Sequence, residues 1–195
     1  MRHFLDLRDF DRDRLNAMLE TAAQMKAGEV SSMPLAGKSI GMIFEKPSTR
    51  TRVSFEVGIR QLGGTPVMLA AQDLQLGRGE TVADTARVLS RYLDGVMIRA
   101  LSHDTVAEFA AEGSIPVING LTNLSHPCQI MADLQTIQAH LGALEHQIVA
   151  WFGDGNNVAV SWIEAAVRFG FQLRMACPQG YTPPAESLAW ARAEG

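Results

Sequence analysis

Apolar residues recur along this chain in two patterns that alternate from start to finish. Residues 11–26 place Leu15 and Leu19 on one face at helical spacing, and Gly28 follows as a stop signal. The next pattern, Ser39–Phe44, is a short and nearly continuous apolar run, which is typical of a buried strand. The chain therefore opens with a predicted helix followed by a predicted strand.

The same alternation continues along the rest of the chain. Further helices are predicted at 52–62, 81–92, 102–111, 127–141 and 158–169, and after residue 184. Further strands are predicted at 66–70, 95–98, 115–118, 147–152 and 172–176. Strands separated by helices imply an α/β fold in which a parallel sheet carries helices on both faces.

The predicted domain boundary lies near Gly142, after a long helix. Residues 1–142 form one α/β domain with four predicted strands, and residues 143–195 begin a second, Rossmann-like α/β domain with two. An independent domain of only about 50 residues is undersized. We therefore expect the second domain to be truncated in this chain.

Composition excludes several classes of protein. The chain has 195 residues, 47% of them hydrophobic, with a net charge of -4, which argues against bulk binding of nucleic acid. Cys128 and Cys177 have neither metal-ligand nor disulfide-framework spacing, so we expect free thiols. No apolar run approaches the roughly 18 residues that span a bilayer, and the N-terminus lacks a signal-peptide core. We expect a cytoplasmic, soluble protein.

The segment Ser48–Arg52 carries the clearest chemical signal. It places two arginines and three hydroxyls between a predicted strand and a predicted helix. Arginine is disfavoured at a helix N-terminus, which is itself positive, unless an anion such as phosphate lies there. Arg50 fits this anion role. Arg52 has Glu56 four residues on, so an intrahelical ion pair is at least as good an interpretation as contact with a ligand.

Three further groups follow predicted strands and so belong at the carboxyl edge of a sheet, where α/β proteins bind ligands. They are Arg99, His126–Gln129 and Gly153–Asn157. Arg99 is a ligand residue or the partner of a nearby carboxylate, and His126 is a ligand residue or a structural histidine beside Pro127. The remaining histidines lack comparable settings and are expected at the surface: His3, His103, His140 and His146.

The Gly153–Asn157 segment only partly matches a dinucleotide-binding fingerprint. Val158 stands in the place of the third glycine, and no acidic residue ends the next predicted strand. Nicotinamide binding is therefore disfavoured. No Ser-His-Asp set and no metal-ligand cluster emerges, so neither a cofactor nor a metal is expected.

Several of these segments together resemble one family. Phe44–Glu56 resembles the carbamoyl-phosphate signature of the aspartate/ornithine carbamoyltransferases, and His126–Gln129 is similar to their second phosphate-domain motif. Asp73–Glu80 and Arg99 occupy the matching intermediate positions, and Gly153–Asn157 resembles the ornithine branch of the family. The resemblance runs through essentially the whole chain.

The resemblance implies a set of carbamoyl-phosphate residues: Ser48, Thr49, Arg50, Thr51, Gln75, Arg99, His126 and Gln129. Arg99 would bridge the phosphate and the carbonyl oxygen, His126 would bind the carbonyl oxygen, and Gln129 would accept from the carbamoyl amide. Gln75 would lie on a loop that reaches a neighbouring subunit's site. Asn157 would bind the amino-acid end of ornithine.

The implied reaction transfers the carbamoyl group of carbamoyl phosphate to the δ-amine of L-ornithine, giving L-citrulline and phosphate in arginine metabolism. Thr51, Arg99 and His126 would be its catalytic donors. The family further implies a homotrimer, or a multiple of trimers, with shared sites. Because family members are longer, the chain is expected to be C-terminally incomplete and inactive alone. Two alternatives stay open: a sister transferase acting on aspartate, putrescine or an acylated ornithine, and a non-catalytic anion-binding or interaction module.

Overall fold

The computed structural model describes residues 3–30, 32–70 and 79–195. Its α-helices are α1 (Arg12–Ala27), α2 (Thr49–Gln61), α3 (Val82–Leu89), α4 (His103–Glu112), α5 (Pro127–Leu141), α6 (Asn157–Phe169) and α7 (Ala185–Glu194). Its strands are β1 (Ser39–Phe44), β2 (Thr65–Ala70), β3 (Gly95–Arg99), β4 (Val117–Leu121), β5 (Ile148–Phe152) and β6 (Gln172–Ala176). Short 3₁₀ helices lie at Leu7–Asp9 and Leu144–His146. The predicted alternation of helices and strands is confirmed.

The chain folds into two compact units. The first consists of Met1–Leu5 and Ser31–Asn123, and the second of Asp6–Val30 and Leu124–Gly195. The first unit thus holds β1–β4 with α2–α4, and the second holds β5 and β6 with α1 and α5–α7. Helices α1 and α5 pack against each other, which places α1 in the second unit despite its early position in the chain. The domain boundary near Gly142 stays a prediction.

The sheet of the first unit has the strand order β2-β1-β3-β4, and every neighbouring pair is parallel. The strand order reverses between β1 and β3, because β1 pairs with its successor β2 on one side and with β3 on the other. In the second unit, β5 and β6 also pair in parallel. The reversal between β1 and β3 is the kind of position at which open α/β sheets bind ligands.

Helices cover both faces of the first sheet, as predicted. On one face Met42 and Met97 form an apolar cluster with Ile59 of α2. On the other face Ile98 belongs to a cluster that contains Phe109 of α4. Successive strand residues point to opposite faces, so the near-continuous apolar runs supply both clusters at once.

Three elements differ from their predicted bounds by more than one residue. Helix α2 begins at Thr49 rather than at residue 52, because Ser48 is extended (φ -154°) and its carbonyl accepts the first helical hydrogen bond. Strand β4 is shifted from 115–118 to Val117–Leu121. Pro116 has no N–H to donate to the strand ladder, which accounts for the later start. Helix α3 ends at Leu89 rather than at residue 92.

The second unit is built around α6, most of which is buried. Asn156 caps its start, and Gly170 ends it in the left-handed conformation (φ 75°) that favours glycine. Trp162 of α6 packs edge-to-face on Phe171 with ring centroids 5.9 Å apart. Throughout the described ranges, every helix is too short or too polar to cross a bilayer.

Candidate active site

The strand reversal brings the ends of β1 and β3 side by side. Phe44, the last residue of β1, is the register partner of Arg99, the last residue of β3. The Glu45 N–H donates to the Arg99 carbonyl at 2.9 Å, so the loop that leads into α2 starts directly beside Arg99. The predicted position of Arg99 at the end of a strand is confirmed.

Thr51 links the start of α2 to the end of β3 through its side chain. Its Oγ1 accepts from Ser48 Oγ at 3.0 Å and from Arg99 Nη1 at 3.1 Å. The second bond links residues 48 positions apart in the sequence. A hydroxyl has two acceptor lone pairs and one hydrogen. Because both lone pairs of Thr51 are occupied, its hydrogen is left to donate to a ligand.

The start of α2 has no cap of its own. Ser48 occupies the N-cap position, but its hydroxyl binds Thr51 instead of a backbone N–H, and the first turn holds no acidic residue. By contrast, α1 and α4 are capped by the side chains of Asp11 and Ser102. The first-turn N–H groups of α2, at the positive end of the helix, are therefore open to an anion.

Arg99 brings a partly desolvated cation to the same place. Burial lowers the pKa of its guanidinium, and its Nε is buried without a hydrogen-bond partner among the described residues. The direction of the Arg99 side chain depends on a β-bulge in β4. Ile98 pairs with Asn119, whereas the next residue, Arg99, pairs with Leu121. Gly120 is the extra residue at this bulge, and a bulge redirects the side chains beside it.

The two arginines of the Ser48–Arg52 segment have different surroundings. Arg52 Nε lies 4.0 Å from Glu56 Oε2, which confirms the intrahelical ion pair. Glu56 also pairs with Arg60 at 3.4 Å. Arg50 is exposed in the first turn and forms no ion pair with the residues that the structure describes. Arg50 therefore remains available to an anion, whereas Arg52 is partly neutralised by Glu56.

His126 and Gln129 lie in the second unit at the start of α5. His126 is the N-cap and Pro127 the first helical residue, which confirms that the helix opens at this pair. Gln129 Nε2 donates to Asp133 Oδ1 at 2.9 Å. Burial raises the pKa of Asp133, and the bond from Gln129 opposes that rise. Because the amide nitrogen faces Asp133, the carbonyl oxygen of Gln129 is left as an acceptor.

Asn156 and Asn157 occupy different positions at the start of α6. Asn156 Oδ1 accepts from the N–H groups of Val158 at 2.9 Å and Ala159 at 3.2 Å, so Asn156 is the helix cap. Asn157 is the first helical residue and is half-buried. Asn157 Oδ1 also accepts from the Val158 N–H, at 3.0 Å. The helix cap is therefore shared with Asn157, whose role as a ligand residue stays a prediction.

The glycine-rich loop before α6 is filled by the chain itself. Gly155 N–H donates to the Tyr181 carbonyl at 2.6 Å, and a Cβ at Gly155 would lie 2.1 Å from Pro183 N. In a dinucleotide-binding fingerprint the second glycine lets a pyrophosphate approach the backbone. Here a neighbouring loop makes that close approach, which supports the interpretation that this segment is not a nicotinamide site.

Sequence reasoning missed a polar cluster in the second unit. Glu164 is 3% exposed in α6, and its carboxylate accepts from Leu7 N–H at 3.1 Å. Burial and the nearby Asp6 raise the pKa of Glu164 to about 8, against the opposing charge of Arg8. The sequence did contain a signal for this cluster: Glu164 lies three residues after Ser161, on the same face of an otherwise apolar helix.

Other sequence expectations have mixed outcomes. His3 and His103 are not simple surface residues, because both are partly buried and their Nδ1 atoms contact the Val117 N–H and Thr122 Oγ1. Gln75 lies outside the described residues. Both cysteines are thiols outside any disulfide among the described residues, as predicted, and burial raises the pKa of Cys128 to about 12. In the part of the chain that the structure describes, acidic, histidine and cysteine side chains form no group that could hold a metal ion.

The first unit is a parallel α/β fold, and the uncapped start of α2 lies beside hydroxyl groups and a guanidinium where the strand order reverses. These features are typical of a phosphate-binding domain. Two family descriptions agree with this class. "Aspartate/ornithine carbamoyltransferase, carbamoyl-P binding domain" matches residues 2–139, and "Aspartate/ornithine carbamoyltransferase, Asp/Orn binding domain" matches residues 145–195. The chain belongs to the aspartate/ornithine carbamoyltransferase family.

Individual relatives are similar over the whole chain. The ornithine carbamoyltransferase of Nitrobacter winogradskyi is 54% identical over 198 aligned positions, which cover 100% of this chain and 64% of that protein. The solved ornithine carbamoyltransferase of Pyrococcus furiosus superposes with a TM-score of 0.94 at 47% identity, covering 97% of this chain and 62% of that one. The anabolic enzyme of Campylobacter jejuni gives a TM-score of 0.93 at 41% identity, covering 100% and 64%. The chain thus spans less than two thirds of the length of these relatives.

Proposed function

We propose that this chain carries the carbamoyl-phosphate site of an ornithine carbamoyltransferase. One observation carries the proposal: the hydroxyls of Ser48 and Thr51 and the guanidinium of Arg99 converge by hydrogen bonds at the uncapped start of α2. Each of these groups suits a phosphate or a developing oxyanion. The relatives named above bear the name of this activity.

The proposed roles of the residues follow from their chemistry. Ser48, Thr49 and Arg50 bind the phosphate with the first-turn N–H groups of α2. Thr51 donates its remaining hydrogen, and Arg99 its guanidinium, to oxygens that gain charge. Preorganised donors of this kind stabilise a transition state, and removal of one typically lowers kcat by 10²–10³.

Residues of the second unit complete the proposed set. His126 polarises the carbamoyl oxygen, Gln129 accepts from the carbamoyl amide, and Asn157 binds the amino-acid end of ornithine. The orientation of Gln129, whose amide nitrogen faces Asp133, supports its role as an acceptor. Gln75 stays a prediction, proposed to reach a neighbouring subunit's site.

The proposed reaction begins when the neutral δ-amine of ornithine attacks the carbamoyl carbon. A C–N bond forms, the carbonyl oxygen gains negative charge, and the tetrahedral intermediate then expels phosphate by breaking the C–O bond. The amine proton leaves with the phosphate, so no metal is needed. The products are L-citrulline and phosphate, and the place of the reaction is arginine biosynthesis in the cytoplasm.

We also propose that residues 1–142 bind carbamoyl phosphate and that residues 143–195 belong to the ornithine-binding domain. The assembly proposed is a homotrimer or a multiple of trimers. Val53 and Val57 on α2 are 53% and 45% exposed, and such an apolar helix face supports contact with a second copy. Light scattering of the full-length protein tests this, and a monomer at micromolar concentration would contradict it.

Calorimetry tests the proposed phosphate site. Arg50→Ala in the full-length protein should abolish carbamoyl-phosphate binding and leave the fold intact. Arg52→Ala is the matched control, because Arg52 is paired with Glu56. Equal loss of affinity in the two variants, or unchanged affinity in Arg50→Ala, would refute the assignment.

A citrulline-forming assay tests the acceptor. Ornithine, aspartate and putrescine compete in the same assay with the full-length protein, and only ornithine should be carbamoylated. Asn157→Ala should raise the KM for ornithine far more than the KM for carbamoyl phosphate. Preferential carbamoylation of aspartate or putrescine would point to the sister transferase, and binding without turnover of any acceptor to a non-catalytic module.

A further inference from the structure

Helix α6 carries a polar stripe on an otherwise apolar surface. Asn157, Ser161 and Glu164 lie at positions i, i+4 and i+7, which share one face of an α-helix. Ser161 is 0% exposed and Glu164 is 3% exposed. Burying polar groups is unfavourable unless they are hydrogen-bonded, so the partners of these two side chains indicate what the stripe does.

The partner of Ser161 is the backbone of His126. The His126 N–H donates to Ser161 Oγ at 2.9 Å. His126 is the N-cap of α5, and its backbone dihedrals (φ -140°, ψ 64°) lie outside the regular regions. An N-cap N–H has no acceptor within its own helix. Ser161 therefore supplies the bond that the helix cannot.

The preceding residue is held separately. Ser125 is 0% exposed, and its hydroxyl donates to the carboxylate of Asp6, which is 2% exposed. Arg8 joins Asp6 to Glu164, since its guanidinium lies 3.6 Å from both Asp6 Oδ2 and Glu164 Oε1. Ser125 and His126 are thus each held by a buried polar group of the second unit, Asp6 for Ser125 and Ser161 for His126.

We propose that Ser161 is a positioning residue for the imidazole of His126. Its hydroxyl holds the peptide plane between residues 125 and 126, and that plane sets the direction of the His126 Cα–Cβ bond. The Asp6–Ser125 hydrogen bond is the second support of the same plane. The inference rests on the proposed function in one respect, because the role of His126 toward the carbamoyl oxygen comes from there.

Three variants separate positioning from simple packing. Ser161→Ala removes the acceptor, and Ser161→Thr keeps it. Ser187→Ala is the matched control, because Ser187 is 5% exposed and lies in α7 of the same unit. Should Ser161→Ala not fold, Ser161→Cys keeps the volume with a much weaker acceptor and takes its place.

The first measurement needs no turnover. In the 195-residue chain with labelled histidine, NMR follows the titration of each imidazole and the backbone amide of His126. Ser161→Ala should move the His126 midpoint and shift its amide proton upfield, with His140 at the far end of α5 unchanged. Ser161→Thr and Ser187→Ala should leave His126 as in the wild type. Unchanged His126 signals in Ser161→Ala would overturn the proposal.

The second measurement is a double-mutant cycle on turnover in the full-length protein. Ser161→Ala should lower kcat by up to about 100-fold, as small misplacements of a catalytic group do, with little change in the KM for carbamoyl phosphate. In a His126→Ala background the same substitution should change kcat little, because its effect passes through the imidazole. Equal factors in both backgrounds would overturn the proposal. If the wild type forms no citrulline, the proposed function fails, and the NMR result still decides the role of Ser161.

Discussion

Replacing Glu164 with glutamine should remove a pH dependence from the stability of the second unit. Burial and the neighbouring Asp6 raise the pKa of Glu164 from 4.5 to about 8, although Arg8 and two backbone N–H groups oppose the rise. The unfolded chain has no such environment. At pH values between these two pKa values, the folded state therefore keeps the Glu164 proton that the unfolded state releases. The free energy of unfolding falls as the pH rises through this range.

The size of the effect follows from the two pKa values. One proton of difference corresponds to about 1.4 kcal/mol per pH unit. The contribution of Glu164 is fully present below its unfolded pKa and is lost as the pH rises toward its folded pKa. Between about pH 5.5 and about pH 7.5 the loss is roughly 2 kcal/mol. Glutamine keeps a carbonyl oxygen for the Leu7 N–H, which now lies 3.1 Å from the carboxylate, but it has no proton to release.

Tryptophan fluorescence isolates this unit, because all three tryptophans, Trp151, Trp162 and Trp190, belong to it. Urea unfolding at several pH values should show the wild type losing stability relative to Glu164→Gln as the pH rises. Glu186→Gln, at an exposed position of α7, is the control and should run parallel to the wild type. A constant difference between the wild type and Glu164→Gln over the whole range would refute the reasoning.

Three further substitutions test the geometry of the two units. Arg99→Met keeps the apolar stem of the side chain but removes the guanidinium. Hydrogen bonds to charged groups contribute about 1.5–3 kcal/mol, so calorimetry should show the affinity for carbamoyl phosphate falling by at least about 10-fold. Unchanged affinity would contradict the role of Arg99. Asp133→Ala removes the carboxylate that orients the side-chain amide of Gln129. The KM for carbamoyl phosphate should therefore rise about 5-fold, the equivalent of one hydrogen bond. An unchanged KM would argue that Asp133 does not orient Gln129. Gly155→Ala places a methyl group against the backbone of Pro183 and should lower the free energy of unfolding by at least about 2 kcal/mol in urea; a wild-type midpoint would show that the loop can move.

Sequence by itself determined most of the local structure and was enough to predict an anion site at Ser48–Arg52. Apolar runs and helical spacing depend only on near neighbours, so strand β1 and helix α5 were predicted at their observed bounds. The Ser48–Arg52 segment was readable for the same reason, because its hydroxyls and arginines surround one helix start. Even the Arg52–Glu56 ion pair is a contact within a single helix.

Only the tertiary structure decided which of these groups meet. The bond between Arg99 and Thr51 joins residues 48 positions apart, and it exists because β3 lies next to β1 in the sheet. The roles of Ser161 and Glu164 likewise depend on the segments packed against α6. Hydrogen-bond partners of buried polar groups are set by long-range packing, which periodicity along the chain does not encode. For this reason the sequence predicted an anion site at the start of α2, whereas the hydrogen bond from the His126 N–H to Ser161 became visible only in the folded chain.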